Sequence, residues 1–295
     1  MGVSGESTAQ WLWDRQSVWS QAADHAKRAI GRARTAGLVL GALGACAGTA
    51  AAQVMAWNDG VGKALAFLAF LAAVAVGLAP LAARAEGPRQ VRDWTRLRSL
   101  SEELKSEVYT YLARVAPYRE ADASEVLLDR AERVLEDASD LVGHTIAHTP
   151  RRRDLPSVTD LGSYVDVRVA GQIEGYYRPR AAHMGRRTGQ VRRAELALAG
   201  AAAVLGALSV VFGAEWATAW VAMVTTVAAA VTAHAAAARY AYQELEFSRT
   251  AAELERLTVH RGRAAGPAAD DAFVGRCERV ISAQNEGWMA KWLSE

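Results

Sequence analysis

Apolar positions in this chain gather into long blocks instead of recurring at helical or strand spacing. Residues 36–57, 64–83, 194–213 and 216–238 are near-continuous apolar runs. About 20 helical residues, rising about 1.5 Å each, cross a hydrocarbon core of about 30 Å. Each run is therefore long enough to span. The first, second and fourth contain no Asp, Glu, Lys or Arg, and the third holds only Glu195, at its edge. None shows the in–out alternation of a transmembrane barrel. The pattern predicts an all-α membrane protein with four transmembrane helices.

The turns between paired runs, Asn58 to Lys63 and Ala214 to Glu215, are so short that each pair must form an antiparallel hairpin. Positive charge sets the orientation. Lys27, Arg28, Arg32 and Arg34 precede the first run, and Arg84, Arg89 and Arg92 follow the second. Arg178, Arg180, Arg186, Arg187, Arg192 and Arg193 precede the third, Arg239 closes the fourth, and the turns contribute only Lys63. Both tips are expected outside, with both termini in the cytoplasm and the inner (plasma) membrane as location. Trp57, Trp216 and Trp220 fall at the outer ends, where indoles favour the interface.

Between the blocks the periodicity changes. Trp94, Leu97, Ser101, Leu104, Val108, Tyr111 and Val115 recur at alternating three and four residues, as do Leu127, Ala131, Val134, Ala138 and Leu141. That spacing predicts cytoplasmic helices packed along coiled-coil-like seams. Pro117 separates the two, Asp122 or Ser124 is the expected N-cap of the second, and Arg151-Arg152-Arg153 with Pro156 reads as a linker.

The chain also resembles itself. Trp19, Ala23, His25 and Arg28 align with Tyr177, Ala181, His183 and Arg186, Glu103-Leu104 with Glu253-Leu254, and Arg130-Ala-Glu-Arg-Val-Leu135 with Arg276-Cys-Glu-Arg-Val-Ile281. The matches keep their order, at offsets drifting from 158 to 146. They predict a tandem repeat with domains 1–150 and 151–295, each a two-span hairpin with cytoplasmic helices. Both hairpins start inside, which makes the repeat parallel and unlike the inverted repeats of many transporters.

Net charge is +2 and there are two cysteines, Cys46 and Cys277, too few for a disulfide framework. Acidic residues interleave with the basic ones, and arginine concentrates at the membrane junctions, which points to lipid headgroups and away from nucleic acid. No glycine-rich phosphate loop, Gly-x-Ser-x-Gly elbow or His-Glu-x-x-His occurs, so no enzyme and no cofactor is expected. Asp140, His144 and His148 share helical spacing, but a solvated helix end is the better reading than a metal site.

Three candidate features remain. Gly37, Gly41, Gly44 and Gly48 form a small-residue seam suited to helix packing in lipid. Tyr164, Arg168, Gln172 and Tyr176 make a polar stripe ahead of the third span. His234, on one row with Thr226, is the histidine within a span, and an ionisable group there is a pathway or interface candidate by default.

Two-span hairpins flanked by cytoplasmic helices, with Tyr164-x3-Arg168-x3-Gln172-x3-Tyr176-Tyr177-x3-Ala181 before the second, resemble the SLATT family of bacterial two-transmembrane effector domains. These associate with SMODS nucleotidyltransferases and SLOG nucleotide-sensing domains. The Trp94 to Lys105 helix and the segment from Cys277-Glu278 to Trp288 are similar to other family segments. The resemblance implies two such domains in tandem, acting as a membrane effector that oligomerises and permeabilises the inner membrane in conflict or anti-phage responses. It also implies a trigger, either a nucleotide second messenger or a sensor protein. The alternative is a non-conducting scaffold that recruits a soluble partner through its cytoplasmic helices.

Overall fold

Long helices follow directly from the apolar blocks, because in lipid a chain must satisfy its backbone hydrogen bonds within itself. The computed structural model describes residues 5–57, 67, 69–75, 77–78, 87–263 and 265–293, and among these there is no strand. In chain order the helices are α1 (Gly5–Trp57), α2 (Pro88–Leu112) and α3 (Ala123–Glu136), then α4 (Leu161–Phe212), α5 (Glu215–Ala238), α6 (Tyr240–His260) and α7 (Pro267–Leu293). A 3-10 segment, Ser139–Thr145, follows α3.

Three helical stretches are long and apolar enough to cross a membrane: Ser7–Gln53, Leu161–Phe212 and Trp216–His260. They cover residues 36–53 of the first expected span, 194–212 of the third and all of the fourth. Half of the second, 64–83, lies outside the described residues. Its described residues, 67, 69–75 and 77–78, are helical.

By contact the chain divides into two compact units that interleave the sequence halves. Unit 1 holds Met1–Arg28, Pro88–Ala182 and Glu244–Glu295, and unit 2 holds Ala29–Gly87 and His183–Gln243. The expected bounds 1–150 and 151–295 divide the chain by sequence, whereas each compact unit draws on both halves.

In unit 1, α2 packs against α3 and α7. The seam residues explain why: Leu97, Ser101, Leu104, Val108, Leu127, Ala131, Ala138 and Leu141 are all buried. Trp94, Tyr111 and Val134 are half-buried. The first turns of α1 bring Leu12, Trp13 and Trp19 into the same unit, with Trp13 edge-on to Tyr109 at 5.9 Å between ring centres. Gln16 donates to the Ser101 hydroxyl at 2.9 Å. Three of the aligned pairs match in burial, Trp19 and Tyr177, Leu104 and Leu254, and Ala131 and Cys277 each being at most 2% exposed, whereas Glu132 is exposed and its counterpart Glu278 is buried.

The basic linker is a strap along α1. The Arg153 guanidinium lies 4.4 Å from the Trp13 ring and donates to the Gln16 side chain and the Trp13 carbonyl. The Arg151 amide donates to the Ser17 hydroxyl, and Gln21 donates to the Thr149 carbonyl. Asp122 does take the N-cap position of α3, but its backbone carbonyl, not its side chain, meets the Glu125 amide.

In unit 2 large apolar side chains point outward. Val204, Val210, Val211 and Phe212 are 61–86% exposed, and the most apolar window of α4 has no buried residue. Exposure on that scale marks a surface made for a nonaqueous neighbour. Helix α5 ends at Arg239, whose φ of 51° is left-handed and rare for a side-chain-bearing residue. Gln243 compensates by donating to the Ala238 carbonyl at 2.7 Å.

Candidate functional site

The polar stripe supplies the most heavily constrained group of charges. Its helix does not keep α-helical pitch: Val165–Ala170 and Ile173–Tyr177 are π-helical turns. Each wide turn adds a residue to the repeat, and such turns are often found at functional sites. The inward face therefore reads Tyr164, Arg168, Val169, Ile173 and Tyr177, all buried, and no longer follows the strict four-residue row. Gln172 and Tyr176 are half-buried. Of the four stripe residues, the structure joins Tyr164 and Arg168 through one carboxylate and sets Tyr176 against other rings and guanidiniums.

That carboxylate is Glu278, on α7. Arg168 grips it from two nitrogens, Nε to Oε1 at 2.9 Å and Nη2 to Oε2 at 2.7 Å, and the Tyr164 hydroxyl donates to Oε1 at 2.8 Å. The Arg168 side chain has no exposed surface and its guanidinium lies 4.6 Å from the Tyr109 ring. Bidentate, stacked geometry of this kind suits a planar guanidinium and not an ammonium.

A second carboxylate, Glu102 of α2, stands on the other side. The Arg168 Nη1 is 3.9 Å from Glu102 Oε2, beyond hydrogen-bond length. Arg98 holds Glu102 at 2.8 Å, and Lys105 approaches to 3.9 Å. Burial alone would raise the Glu102 carboxyl, but Arg98, then Lys105 and Arg168, overcome that and hold it at about 2. Burial lowers the Lys105 ammonium to about 8, against the opposing pull of Glu102. Arg168 thus sits between carboxylates of two helices and is fully bonded to one of them. The group acts as an ion lock, one buried guanidinium gripped by a carboxylate of α7 beside a second carboxylate of α2.

A separate pair closes the end of α2. Arg130 of α3 forks onto Glu107 at 2.6 to 3.1 Å, and Glu107 also accepts from the Tyr118 hydroxyl.

The other candidates lie elsewhere. In unit 2 the His234 Nε2 is 3.3 Å from the Tyr240 hydroxyl, while Thr226 is exposed and donates to its own helix at the Ala222 carbonyl. Of the glycine seam, Gly44 is buried and a Cβ on Gly48 would lie 4.0 Å from the Ala72 Cβ. A Cβ on Gly37 or Gly41 would meet open space. Asp140 pairs with Arg96, His144 lies 3.8 Å from Asp93, and His148 faces the His25 ring, so those three residues do not converge.

Glu102, Arg98, Lys105 and Glu278 were not singled out by spacing. Glu278 carried two signals, its place in the Arg276–Ile281 match and in the family-like segment from Cys277-Glu278 to Trp288. Glu102 lay within the family-like Trp94 to Lys105 helix but carried no signal of its own, because one acid on a charged helix looks like any other.

No curated protein matches this chain, and no solved structure does. Residues 17–125, which contain Glu102, match a family described as a protein of unknown function (DUF4231). Residues 164–288, which open at Tyr164 and contain both Arg168 and Glu278, match the SMODS and SLOG-associating 2TM effector domain 1, supporting the SLATT family for that part of the chain.

Proposed function

We propose that this protein is a membrane effector of a bacterial conflict system, which oligomerises and permeabilises the inner membrane when a nucleotide signal or a partner protein releases it. The observation that carries this reading is the effector-domain match over 164–288 on a chain whose apolar helices turn large side chains outward. The ion lock of unit 1 gives such an effector a part that can hold a resting arrangement. The reading places both termini in the cytoplasm, and treats 1–150 as a second, divergent copy of the hairpin domain with its own two spans.

Permeabilisation is tested by inducing the protein in bacteria while following a potential-sensitive dye, and by reconstituting it in dye-loaded vesicles. Depolarisation with growth arrest, and leakage from vesicles, is the expected result. Intact potential with co-purification of a soluble protein would favour the scaffold instead. In the same vesicles, His234→Ala is expected to change how leakage depends on pH between mildly acidic and mildly alkaline buffers. Identical profiles would leave His234 as a packing residue.

Orientation has its own test. Glu215→Cys is expected to react with an impermeant thiol reagent on intact cells, and Ser282→Cys is not, in a background lacking Cys46 and Cys277. Cys277 contributes little background even when retained, because burial, then the Glu278 charge, raises its thiol to about 12. Labelling at Ser282→Cys with silence at Glu215→Cys would reverse the topology.

A further inference from the structure

At another edge of unit 1, three helices bring cations together. Lys27 of α1 holds its Nζ 5.7 Å from the Trp94 ring centre. Arg98, one turn beyond Trp94 on α2, and Arg180, near the start of the regular α-helical part of α4, both place their guanidinium carbons against one ring, that of Tyr176, at 5.9 and 5.5 Å. Lys27 and Arg180 are exposed, and among the described residues neither forms an ion pair with a carboxylate. Arg98 is engaged with Glu102 along one edge and keeps 26% of its side chain open. Asp24 is the acid that acts on Lys27. Although the Lys27 side chain as a whole is exposed, burial of its ammonium end, then the charges of Arg180 and Arg98, outweigh Asp24 and lower it to about 8.

Cations do not converge in this way without cost, and each raises the energy of the next. The Trp94 and Tyr176 rings recover part of that cost through cation–π attraction. Glu102 and Asp24 offset a further part, and a compact anion placed among the three cations would relieve what is left. A group with several terminal oxygens can accept from an ammonium and from two forked guanidiniums at once, each bond charge-assisted. A phosphate has that shape and charge.

We propose that Lys27, Arg98 and Arg180 form a binding site for a phosphate group, carried either by an anionic phospholipid headgroup or by a soluble phosphate compound. The site extends the effector reading without depending on it, because binding is read independently of permeability.

The test uses the full chain in a nonionic detergent, with thermal unfolding followed during titration with two probes. One is short-chain phosphatidylglycerol below its micelle concentration, the other inorganic pyrophosphate, each compared with sodium chloride at matched ionic strength. Ligand that binds the folded state raises Tm in a concentration-dependent way. The wild type is expected to show a saturable rise with at least one probe. The double variant Lys27→Gln/Arg180→Gln is expected to bind at least about tenfold more weakly, since two charge-assisted contacts are lost. Arg256→Gln, a surface arginine elsewhere in unit 1, is expected to bind as the wild type does. A rise with the lipid alone assigns the site to a headgroup, with pyrophosphate alone to a soluble ligand, and with both to the phosphate whatever carries it. No rise beyond the salt control in the wild type, or equal affinity in the double variant, overturns the proposal. Should the double variant unfold without a transition, the single Arg180→Gln and the wild-type titration decide by the same criteria.

Discussion

Arg168→Ala is expected to lower the stability of the folded chain by about 3–5 kcal/mol, the range seen when one member of a buried ion pair is removed. The size comes from what is left behind. Glu278 would keep a buried carboxylate with the Tyr164 hydroxyl as its remaining partner, and Glu102 would lose one of three cations. Arg168→Met/Glu278→Leu is expected to recover most of the loss, because replacing a buried pair with apolar groups of similar volume is often neutral. Unfolding followed by circular dichroism in nonionic detergent measures both. A loss under about 0.5 kcal/mol, typical of surface substitutions, would mean that the lock is not closed in solution.

The same network sets an acid limit. Glu102 has its carboxyl held at about 2, below the ordinary 4.5. A depressed folded-state pKa contributes stability that is fully present above the unfolded value and is lost as pH falls through the folded one. The wild type is therefore expected to lose stability progressively from about pH 4.5 to about pH 2. Glu102→Gln should be less stable than the wild type at neutral pH and show a shallower decline over that window.

The second large effect concerns the outward face of α4. Val204 is 61% exposed, in the middle of the 194–213 run. If lipid covers that face, Val204→Arg moves a guanidinium into hydrocarbon, at about 2.5–3.5 kcal/mol on insertion scales. For the 190–240 hairpin in a translocon insertion assay, that is on the order of a hundredfold shift from inserted to translocated. Were the face bathed in water, an exposed valine could be exchanged for arginine within about 0.5 kcal/mol. Equal insertion of variant and wild type would remove lipid from the description of α4.

These two sites also show what could be read from residues in order. The apolar blocks and the three-four seam were legible because each is a local pattern: Leu97, Leu104 and Leu127 are buried where their spacing placed them. The Arg151 to Arg153 run was legible as a linker but not as a strap, since nothing near it in sequence names Trp13 or Gln16 as its contacts. The lock was half legible. Tyr164 and Arg168 stood out at four-residue spacing, but the π-turns that carry Ile173 and Tyr177 inward, in place of Gln172 and Tyr176, have no composition of their own. Glu278 lies 110 residues from Arg168, a separation at which spacing carries no information. The left-handed turn at Arg239 was hidden for a different reason, because the residue that ordinarily announces such a conformation is glycine.

That 110-residue separation between Arg168 and its carboxylate also orders events at the ribosome. Translation at about 5–20 residues per second delivers α7 on the order of 10 s after Arg168. In that interval all four apolar runs have left the tunnel or entered it, while Glu278 has yet to be made. Unit 1 can close only once α7 has been made, because α2 packs against it. A chain cut short before Glu278 by a premature stop or a stalled ribosome would still carry its membrane segments, but with a buried-site arginine lacking its main partner and the α2 face bare. Such fragments would expose the apolar seam that proteases and chaperones use to sort unfinished from finished chains.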